Sequence, residues 1–224
     1  MKHELRCVES DFCNEISGQE DTTFSAIYEG NPPGRVLWES GNFRLLADMS
    51  PLCPGHLLLL PIEHHLSFAD LIETHGETLS GILSTVIPMY RETFGRLTFL
   101  EHGSSLAMKS GACISHAHWH LLPVDGRGVD ALITADGLPS NLLEHLGQLA
   151  TFSGKPYFLC GHEGEFRVYN GERPMRSQYL RSVVGRILGI PDPLWDYALV
   201  VRKEILRETM DRASHWRTPL ADAG

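Results

Sequence analysis

Short apolar stretches in the first half of the chain predict an antiparallel sheet. Two of them, at 36–38 and 43–47, flank turn-forming residues at 39–42, as in a hairpin. Four consecutive leucines follow His56 and end at Pro61, a pattern that predicts a strand buried on both faces. The predicted strands are 36–38, 43–47, 56–60, 98–101 and 112–122, the last from its period of two.

An amphipathic helix is predicted between the third and fourth of these strands. Apolar residues recur at helical spacing from about 77 to 94, and Pro88 is expected to kink the helix. The residues of this stripe are Leu79, Ile82, Leu83, Val86, Ile87, Tyr90 and Phe94. Together with the strands, the helix predicts a mixed α+β unit.

The pattern changes after residue 126. A capping-box pattern opens a predicted helix at 141–149, and apolar stretches at 157–160 and 166–169 around a glycine-rich turn predict a hairpin. A second helical stripe, at 180–188, must be covered by other residues. The chain is therefore divided into an N-terminal segment (1–22), an α+β domain (23–125) and an α/β extension (126–224).

The composition excludes several classes of protein. Of the 224 residues, 42% are hydrophobic, and no apolar run approaches the roughly 20 residues needed to span a bilayer. The formal charge of −9 argues against binding to nucleic acid polymers, which depends on clustered Lys and Arg. The first residues lack the apolar core of a secretory signal, so a cytoplasmic protein without membrane contacts is expected. The odd number of cysteines, five, argues against a disulfide framework.

Three histidines at a spacing of two residues are the strongest chemical signal. His116, His118 and His120 occur in the alternating segment 112–122, and on a β-strand such residues project from one face. A row of imidazoles can bind a metal or act on phosphate, because histidine is a frequent metal ligand and titrates near neutral pH. The spacing alone does not decide between these two functions.

The sequence around these histidines resembles the histidine triad (HIT) family. The segment 116–123, His-Ala-His-Trp-His-Leu-Leu-Pro, is similar to the family signature. The segments 46–51 and 54–64 are similar to the family's nucleotide-binding loop and the strand that follows it. The resemblance implies a HIT-like α+β fold, a small nucleotide substrate, a nucleotidyl-histidine intermediate and a homodimer.

The same resemblance implies a role for each histidine. His118, in the middle of the triad, would be the nucleophile, and His116 would orient the site. His120 would contact the phosphate and leaving group, and His56 would enter the site as a fourth histidine. Asp48 would bind the ribose hydroxyls, although without its neighbours it would be interpreted as a turn-capping aspartate.

One departure from the family pattern bears on the reaction. The family pattern places a glutamine shortly before the triad, and that glutamine is absent here. Residues 111–113, Gly-Ala-Cys, occupy the corresponding place, and the loop that separates them from residues 101–103 is several residues longer than in the family. The nucleotide contacts implied are those of Asp48, His102, Gly103 and Cys113. The extension is expected to close over the nucleotide cleft or over a subunit interface, and Arg176 or Arg181 could then face a phosphate.

These features leave four interpretations of function. The retained third histidine, His120, favours hydrolysis of a nucleoside 5′-phosphoryl bond in a dinucleoside polyphosphate or a nucleotide conjugate. The missing glutamine keeps open a nucleotidyltransferase that passes the nucleotidyl group to an acceptor other than water. A non-catalytic nucleotide sensor and a metal-binding or structural protein are the remaining alternatives.

Bacterial members of the family often hold zinc near the triad, and the resemblance implies the same here. The implied ligands are Cys7, Cys13, His64 and His116. Ser10 stands where the first family cysteine is expected, so Cys7 would have to replace it. The alternative is two cysteines without a metal. The chemistry at the triad would require no cofactor.

Overall fold

Eight strands of the described residues form one antiparallel sheet. The structure is a computed structural model that describes residues 10–40, 42–104 and 116–217. The strands are β1 (Val36–Ser40), β2 (Phe43–Ala47), β3 (Leu57–Pro61), β4 (Thr98–Gly103), β5 (Trp119–Leu122), β6 (Ser140–Leu143), β7 (Tyr157–His162) and β8 (Glu165–Asn170). Their order across the sheet is β1-β2-β3-β5-β4-β7-β8-β6, and the neighbours are antiparallel. The predicted hairpin of β1 and β2 is confirmed.

Helices cover both faces of this sheet. They are α1 (Asp11–Ile16), α2 (Thr23–Tyr28), α3 (Phe68–Phe94), α4 (Gly126–Ala135), α5 (Tyr179–Leu188), α6 (Lys203–Arg212) and two 3₁₀ helices at Leu146–Phe152 and Ser214–Arg217. Helix α3 shares a core with Trp119 and Leu159, whereas α4 and α5 share another with Leu100 and Phe158. The predicted α+β class is therefore confirmed. Among the helices described, none is both long and apolar enough to cross a membrane.

Helix α3 begins at Phe68, earlier than the stripe near 77 predicts. Phe68 and Ile72 continue its buried apolar face. The intervening residues 74–76 conceal this N-terminal part of the helix, because threonine, histidine and glycine are weak helix formers. Glu101 Oε1 accepts the Phe68 amide hydrogen bond at 2.7 Å and so gives the first turn a partner from outside the helix.

The extension continues the sheet. Strand β7 pairs with β4 along its whole length, from Thr98 opposite His162 to Gly103 opposite Tyr157. Strand β4 therefore has a partner on each edge, β5 on one side and β7 on the other. The three-part division at 22/23 and 125/126 stays a prediction about the sequence, since the sheet runs across the second boundary without interruption.

The predicted elements of the extension have mixed outcomes. The hairpin at 157–160 and 166–169 and the helix at 180–188 are confirmed by β7, β8 and α5. The helix at 141–149 is wrong, because its first residues form β6 against β8 and a 3₁₀ helix follows. Pairing with β8 satisfies the backbone of this segment better than an isolated helix of two turns would.

A buried carboxylate on β4 hydrogen-bonds to side chains of both neighbouring strands, β5 and β7. Glu101 on β4 accepts hydrogen bonds from Trp119 Nε1 at 2.9 Å and from the Tyr157 hydroxyl at 2.7 Å. Burial raises the pKa of Glu101 to about 7 although these donors act in the opposite direction. The Tyr157 ring fits here because Gly103 has no side chain; a Cβ at that position would lie 2.2 Å from Tyr157 Cε1.

Candidate functional site

One pocket is lined by side chains from the segment that precedes residue 126 and from the extension. Its lining residues are Phe12, Arg35, Asp48, Met49, Ser50, Leu58, His102, His118, His120, Gln178, Leu180, Arg181 and Tyr197. Four predicted site residues, Asp48, His102, His118 and His120, are thus brought together in one pocket. His56 and His116 are buried and are connected to it by hydrogen bonds.

The three triad histidines do not form one row on a strand face. Only His120 lies on β5, whereas His116 and His118 precede the strand. His118 and His120 line the pocket, with ring centroids 4.9 Å apart. His116 turns elsewhere: its Nε2 donates to the Pro61 carbonyl oxygen at 2.8 Å, and its Nδ1 lies 3.3 Å from Cys13 Sγ. The expectation of a common face is therefore wrong for His116.

Hydrogen bonding determines the tautomer of His118. Its Nδ1 lies 2.7 Å from the His116 carbonyl oxygen, which can only accept, so Nδ1 carries the ring proton. The lone pair of the neutral ring is then on Nε2. Burial lowers the pKa of His118, so the neutral ring predominates near pH 7. Phe12 packs edge-on against this ring with centroids 5.5 Å apart and restricts its rotation.

The same reasoning assigns the proton of His120. The Leu52 amide donates to His56 Nδ1 at 3.2 Å, so neutral His56 carries its proton on Nε2. That nitrogen lies 2.9 Å from His120 Nδ1, which therefore accepts. His120 consequently carries its own proton on Nε2. The pocket thus combines an imidazole lone pair on His118 with an N–H donor on its neighbour.

Burial holds the surrounding histidines neutral. It lowers the pKa of His56, His102 and His116 to about 4 in each case. It also lowers the pKa of His120 well below its ordinary value. Near pH 7 these imidazoles donate or accept hydrogen bonds without carrying charge, so the charge of the pocket comes from other side chains.

Asp48 supplies a negative charge to the pocket. Its Oδ1 accepts the Ser50 amide at 2.7 Å, and its Oδ2 lies 3.5 Å from Arg181 Nη1 and 3.6 Å from His56 Nε2. Burial alone would raise the pKa of Asp48, but positive charge at His56 and Arg181 and the Ser50 amide hold it below its usual range. Because His56 is neutral near pH 7, Arg181 is the cation that acts there.

The remaining predicted nucleotide contacts lie in different places. His102 lies on β4, packs against Phe158 with centroids 4.7 Å apart and lines the pocket. Gly103 lies against Tyr157 and does not contribute to the lining. Cys113 lies outside the described residues, as does the start of the predicted strand at 112–115.

Three of the predicted zinc ligands come together beside the triad. Cys13 Sγ lies 3.3 Å from His116 Nδ1 and 3.7 Å from His64 Nδ1. Tetrahedral zinc separates a sulfur and a nitrogen ligand by about 3.5 Å, so these distances fit the metal. The bond from His116 Nε2 to Pro61 orients the ring, as an outer hydrogen bond does for zinc-bound histidines. The fourth predicted ligand, Cys7, lies outside the described residues.

Several pocket residues were not predicted from the sequence. Arg35 is buried, donates to Glu15 through two nitrogens at 2.9 and 2.6 Å and to the Ala47 carbonyl at 2.8 Å, and so fastens α1 to the sheet. Helix α1 in turn carries Phe12 into the pocket. No periodic pattern marks these residues, because α1 is only six residues long and the Arg35–Glu15 contact is not local.

The end of the described chain holds the loop that carries Asp48. Ser50 Oγ donates to the Val200 carbonyl at 2.6 Å, and the Gly55 amide donates to Thr209 Oγ1 at 3.0 Å. Arg181 donates to the Ser50 carbonyl at 2.6 Å. The other arginine that could have faced a phosphate, Arg176, pairs with Asp192 at 2.7 Å and does not line the pocket.

The pocket brings two of the triad histidines, His118 and His120, together with Asp48. A HIT domain model matches residues 29–127. An uncharacterised HIT-like protein of Mycobacterium tuberculosis is 30% identical over 119 residues, 51% of this chain and 78% of the relative. The chain belongs to the HIT family.

Other relatives cover a similar part of the chain. The purine nucleoside phosphoramidase of Escherichia coli K12 is 28% identical over 123 residues, which make up 53% of this chain and 98% of the relative. A solved structure of a HIT family member from Bacillus subtilis is 19% identical, covers 51% of this chain and 72% of its own, and has a TM-score of 0.39.

Proposed function

We propose that the protein hydrolyses a nucleoside 5′-phosphoryl bond, with His118 as the nucleophile. The tautomers support this proposal, because His118 offers a lone pair at Nε2 and His120 offers an N–H in the same pocket. Asp48 lines the same pocket and would accept hydrogen bonds from sugar hydroxyls. The E. coli relative is a purine nucleoside phosphoramidase, which makes a purine nucleoside phosphoramidate the first substrate to test.

Hydrolysis would proceed in two displacements. In the first, the His118 Nε2 lone pair forms a bond to the α-phosphorus while the bond to the leaving group breaks. The leaving atom keeps that electron pair and takes a proton from water, while the His120 Nε2–H remains a hydrogen-bond donor to the phosphoryl group. In the second, a water oxygen bonds to phosphorus, the phosphorus–nitrogen bond breaks, its electron pair returns to Nε2, and a proton is released.

Preorganised donors would lower the barrier to both steps. Negative charge develops on the phosphoryl oxygens, and an N–H already fixed by a hydrogen-bond chain requires little reorganisation to meet it. The chain from Leu52 through His56 to His120 provides such a donor. His102 also lines the pocket and would make the polar contact for which other family members use a glutamine, unless the loop 104–110 with Lys109 makes it instead.

Product analysis in isotopically labelled water separates the alternatives. The full chain is incubated with adenosine 5′-phosphoramidate and with diadenosine polyphosphates, and product masses are recorded. Label in the AMP product supports hydrolysis. Transfer of the nucleotide to an added acceptor without label supports the nucleotidyltransferase instead. Binding of nucleotide without any product supports the sensor and contradicts both enzymatic interpretations.

We also propose a structural zinc at Cys13, His64 and His116. The zinc would tie α1 to the segment that leads into the triad and would leave the reaction to the histidines of the pocket. Stoichiometric zinc in untagged protein, lost on His64→Ala but kept on the surface variant His145→Ala, is the expected result. Substoichiometric zinc in the unchanged protein would contradict the proposal.

The homodimer implied by the family resemblance is likewise a proposal. Strand β4 is paired on both of its edges within the chain, so a dimer would have to form through a surface other than an edge of β4. Light scattering of the full chain measures the mass directly.

A further inference from the structure

Arg181 is a buried arginine in the wall of the pocket. It lies on α5, beyond residues 29–127 that the HIT domain model matches. Its side chain is 8% exposed. Nε donates to the Trp195 carbonyl at 3.2 Å, Nη2 donates to the Ser50 carbonyl at 2.6 Å, and Nη1 faces Asp48 Oδ2 at 3.5 Å. The extension therefore inserts a positive charge beside the Asp48 carboxylate.

No other charged group in the described part of the chain does the same for Asp48. Arg35 also lines the pocket, but its guanidinium is engaged by the Glu15 carboxylate. His56 and His120 are the remaining neighbours of Asp48, and burial keeps both neutral near pH 7. A buried carboxylate without a cation tends to take up a proton. Arg181 is thus the charged group that faces Asp48 near pH 7.

The protonation state of Asp48 decides which ligand groups it can bind. An ionised carboxylate only accepts hydrogen bonds, so the ligand must donate, as hydroxyl groups do. The Ser50 amide and Arg181 hold the carboxylate from the protein side, one on each oxygen. Two adjacent hydroxyls can donate to the two oxygens together, whereas a sugar that has lost one of them makes a single bond.

We propose that Arg181 makes the pocket select ribonucleosides over 2′-deoxyribonucleosides, by pairing with Asp48 and fixing the orientation of its carboxylate toward the sugar. The inference rests on the proposed function in that it takes a nucleotide as the ligand. Arg181 acts through Asp48 and is therefore a positioning residue. Its contact with Ser50 supports the same role, because it fixes the loop on which Asp48 lies.

The test compares AMP with 2′-deoxyadenosine 5′-monophosphate by calorimetry on the full chain. The unchanged protein is expected to favour AMP by about tenfold or more, the value of a hydrogen bond to a charged group. Arg181→Gln should bring the ratio of the two affinities close to one, because it should weaken the binding of AMP most. Arg181→Lys should retain part of the preference for AMP. A purely structural role would weaken both ligands equally.

Arg186→Gln is the matched control. Arg186 lies on the same helix and pairs with Asp136 at 2.8 Å, but it is 46% exposed and does not line the pocket. The Arg186→Gln substitution should leave the ratio of the AMP and 2′-deoxyadenosine 5′-monophosphate affinities unchanged. If Arg181→Gln does not fold, the double variant Asp48→Asn with Arg181→Met removes both charges together, which buried ion pairs often tolerate. That variant should bind both nucleotides with equal affinity.

The outcomes separate this inference from the proposed function. An unchanged preference for AMP in Arg181→Gln, or equal binding of both nucleotides by the unchanged protein, overturns the inference even where hydrolysis is observed. A preference that disappears in Arg181→Gln supports it even where no hydrolysis is found. Failure of the unchanged protein to bind either nucleotide overturns both.

Discussion

The two parts of the sheet contribute different groups to one pocket. Residues 29–127, which the HIT domain model matches, supply the histidine pair and Asp48. The extension supplies side chains that confine or orient those groups: Gln178, Leu180, Arg181 and Tyr197. The triad histidines and the side chains that surround them are therefore encoded in separate segments of the sequence, although they line the same cavity.

The two parts are nevertheless joined as one structure. Their cores are shared, since Leu59 and Leu159 belong to the same buried cluster and Leu100 packs with Phe158 in the other. Strand β4 forms the seam, because β5 and β7 pair with its two edges. The segment 29–127 and the extension are therefore not independently packed units, although they contribute different groups to the pocket.

Removal of the extension should have the largest effect. A chain that ends at Arg127 loses β7, exposes the β4 edge and uncovers Leu100 and Leu122, which the extension buries. Open edges with apolar neighbours promote aggregation. We expect no soluble folded protein, measured by soluble yield and circular dichroism. A soluble and fully active fragment would show that the first part alone folds and forms the site.

Loss of the nucleophile should abolish turnover while the fold survives. His118→Ala removes the lone pair that would attack phosphorus, and hydrolysis should fall by roughly 10⁴-fold or more. AMP affinity should change little, because Asp48 and Arg181 are untouched. Rapid quenching of the unchanged protein should trap an acid-labile adduct on His118, and His145→Ala, at an exposed position, is the control. A nucleotide trapped on another residue would exclude the mechanism.

A matched pair of core variants tests whether the parts unfold together. Leu59 on β3 and Leu159 on β7 are each 0% exposed. Replacement of either by alanine should lower the free energy of unfolding by about 2–5 kcal/mol. Both should shift a single urea transition by a similar amount. If Leu159→Ala instead produced a second, earlier transition, the extension would be a separate cooperative unit.

The smallest predicted effect concerns acid stability at the seam. The pKa of His102 is about 4 in the folded protein against an ordinary value of 6.5, mainly because of burial. The unfolded chain therefore binds more protons between these values. The contribution of neutral His102, about 3 kcal/mol, is present above pH 6.5 and is lost as the pH falls toward 4.

His102→Phe keeps a ring against Phe158 but removes the titrating group. Its free energy of unfolding should fall less between pH 7 and pH 4 than that of the unchanged protein, by about the same 3 kcal/mol. Urea titrations at the two pH values measure the difference, and His145→Phe provides the control. Identical pH slopes would mean that His102 is not desolvated by its contact with the extension.

The sequence predicted what local periodicity encodes. Turn residues between apolar stretches identified the β1–β2 hairpin, helical spacing identified the main part of α3, and the triad was evident from its spacing. Two errors arose where tertiary contacts override local preference: residues 140–143 pair with β8, and His116 turns toward Cys13 and Pro61. The pairing of Asp48 with Arg181 joins residues 133 positions apart, and no local pattern contains it.

The anchoring of the Asp48 loop by distant residues has a consequence for the order of synthesis. Ser50 bonds to Val200, which is 150 residues later, and Gly55 bonds to Thr209, which is 154 residues later. A ribosome makes the three histidines well before it makes these anchors. The nascent chain can begin its sheet during translation, but the Asp48 loop acquires its last restraints only when residues 181–209 have emerged. Under the proposed function, competence to bind a nucleotide would then arise late, so an interrupted translation product would carry the triad histidines without a finished pocket.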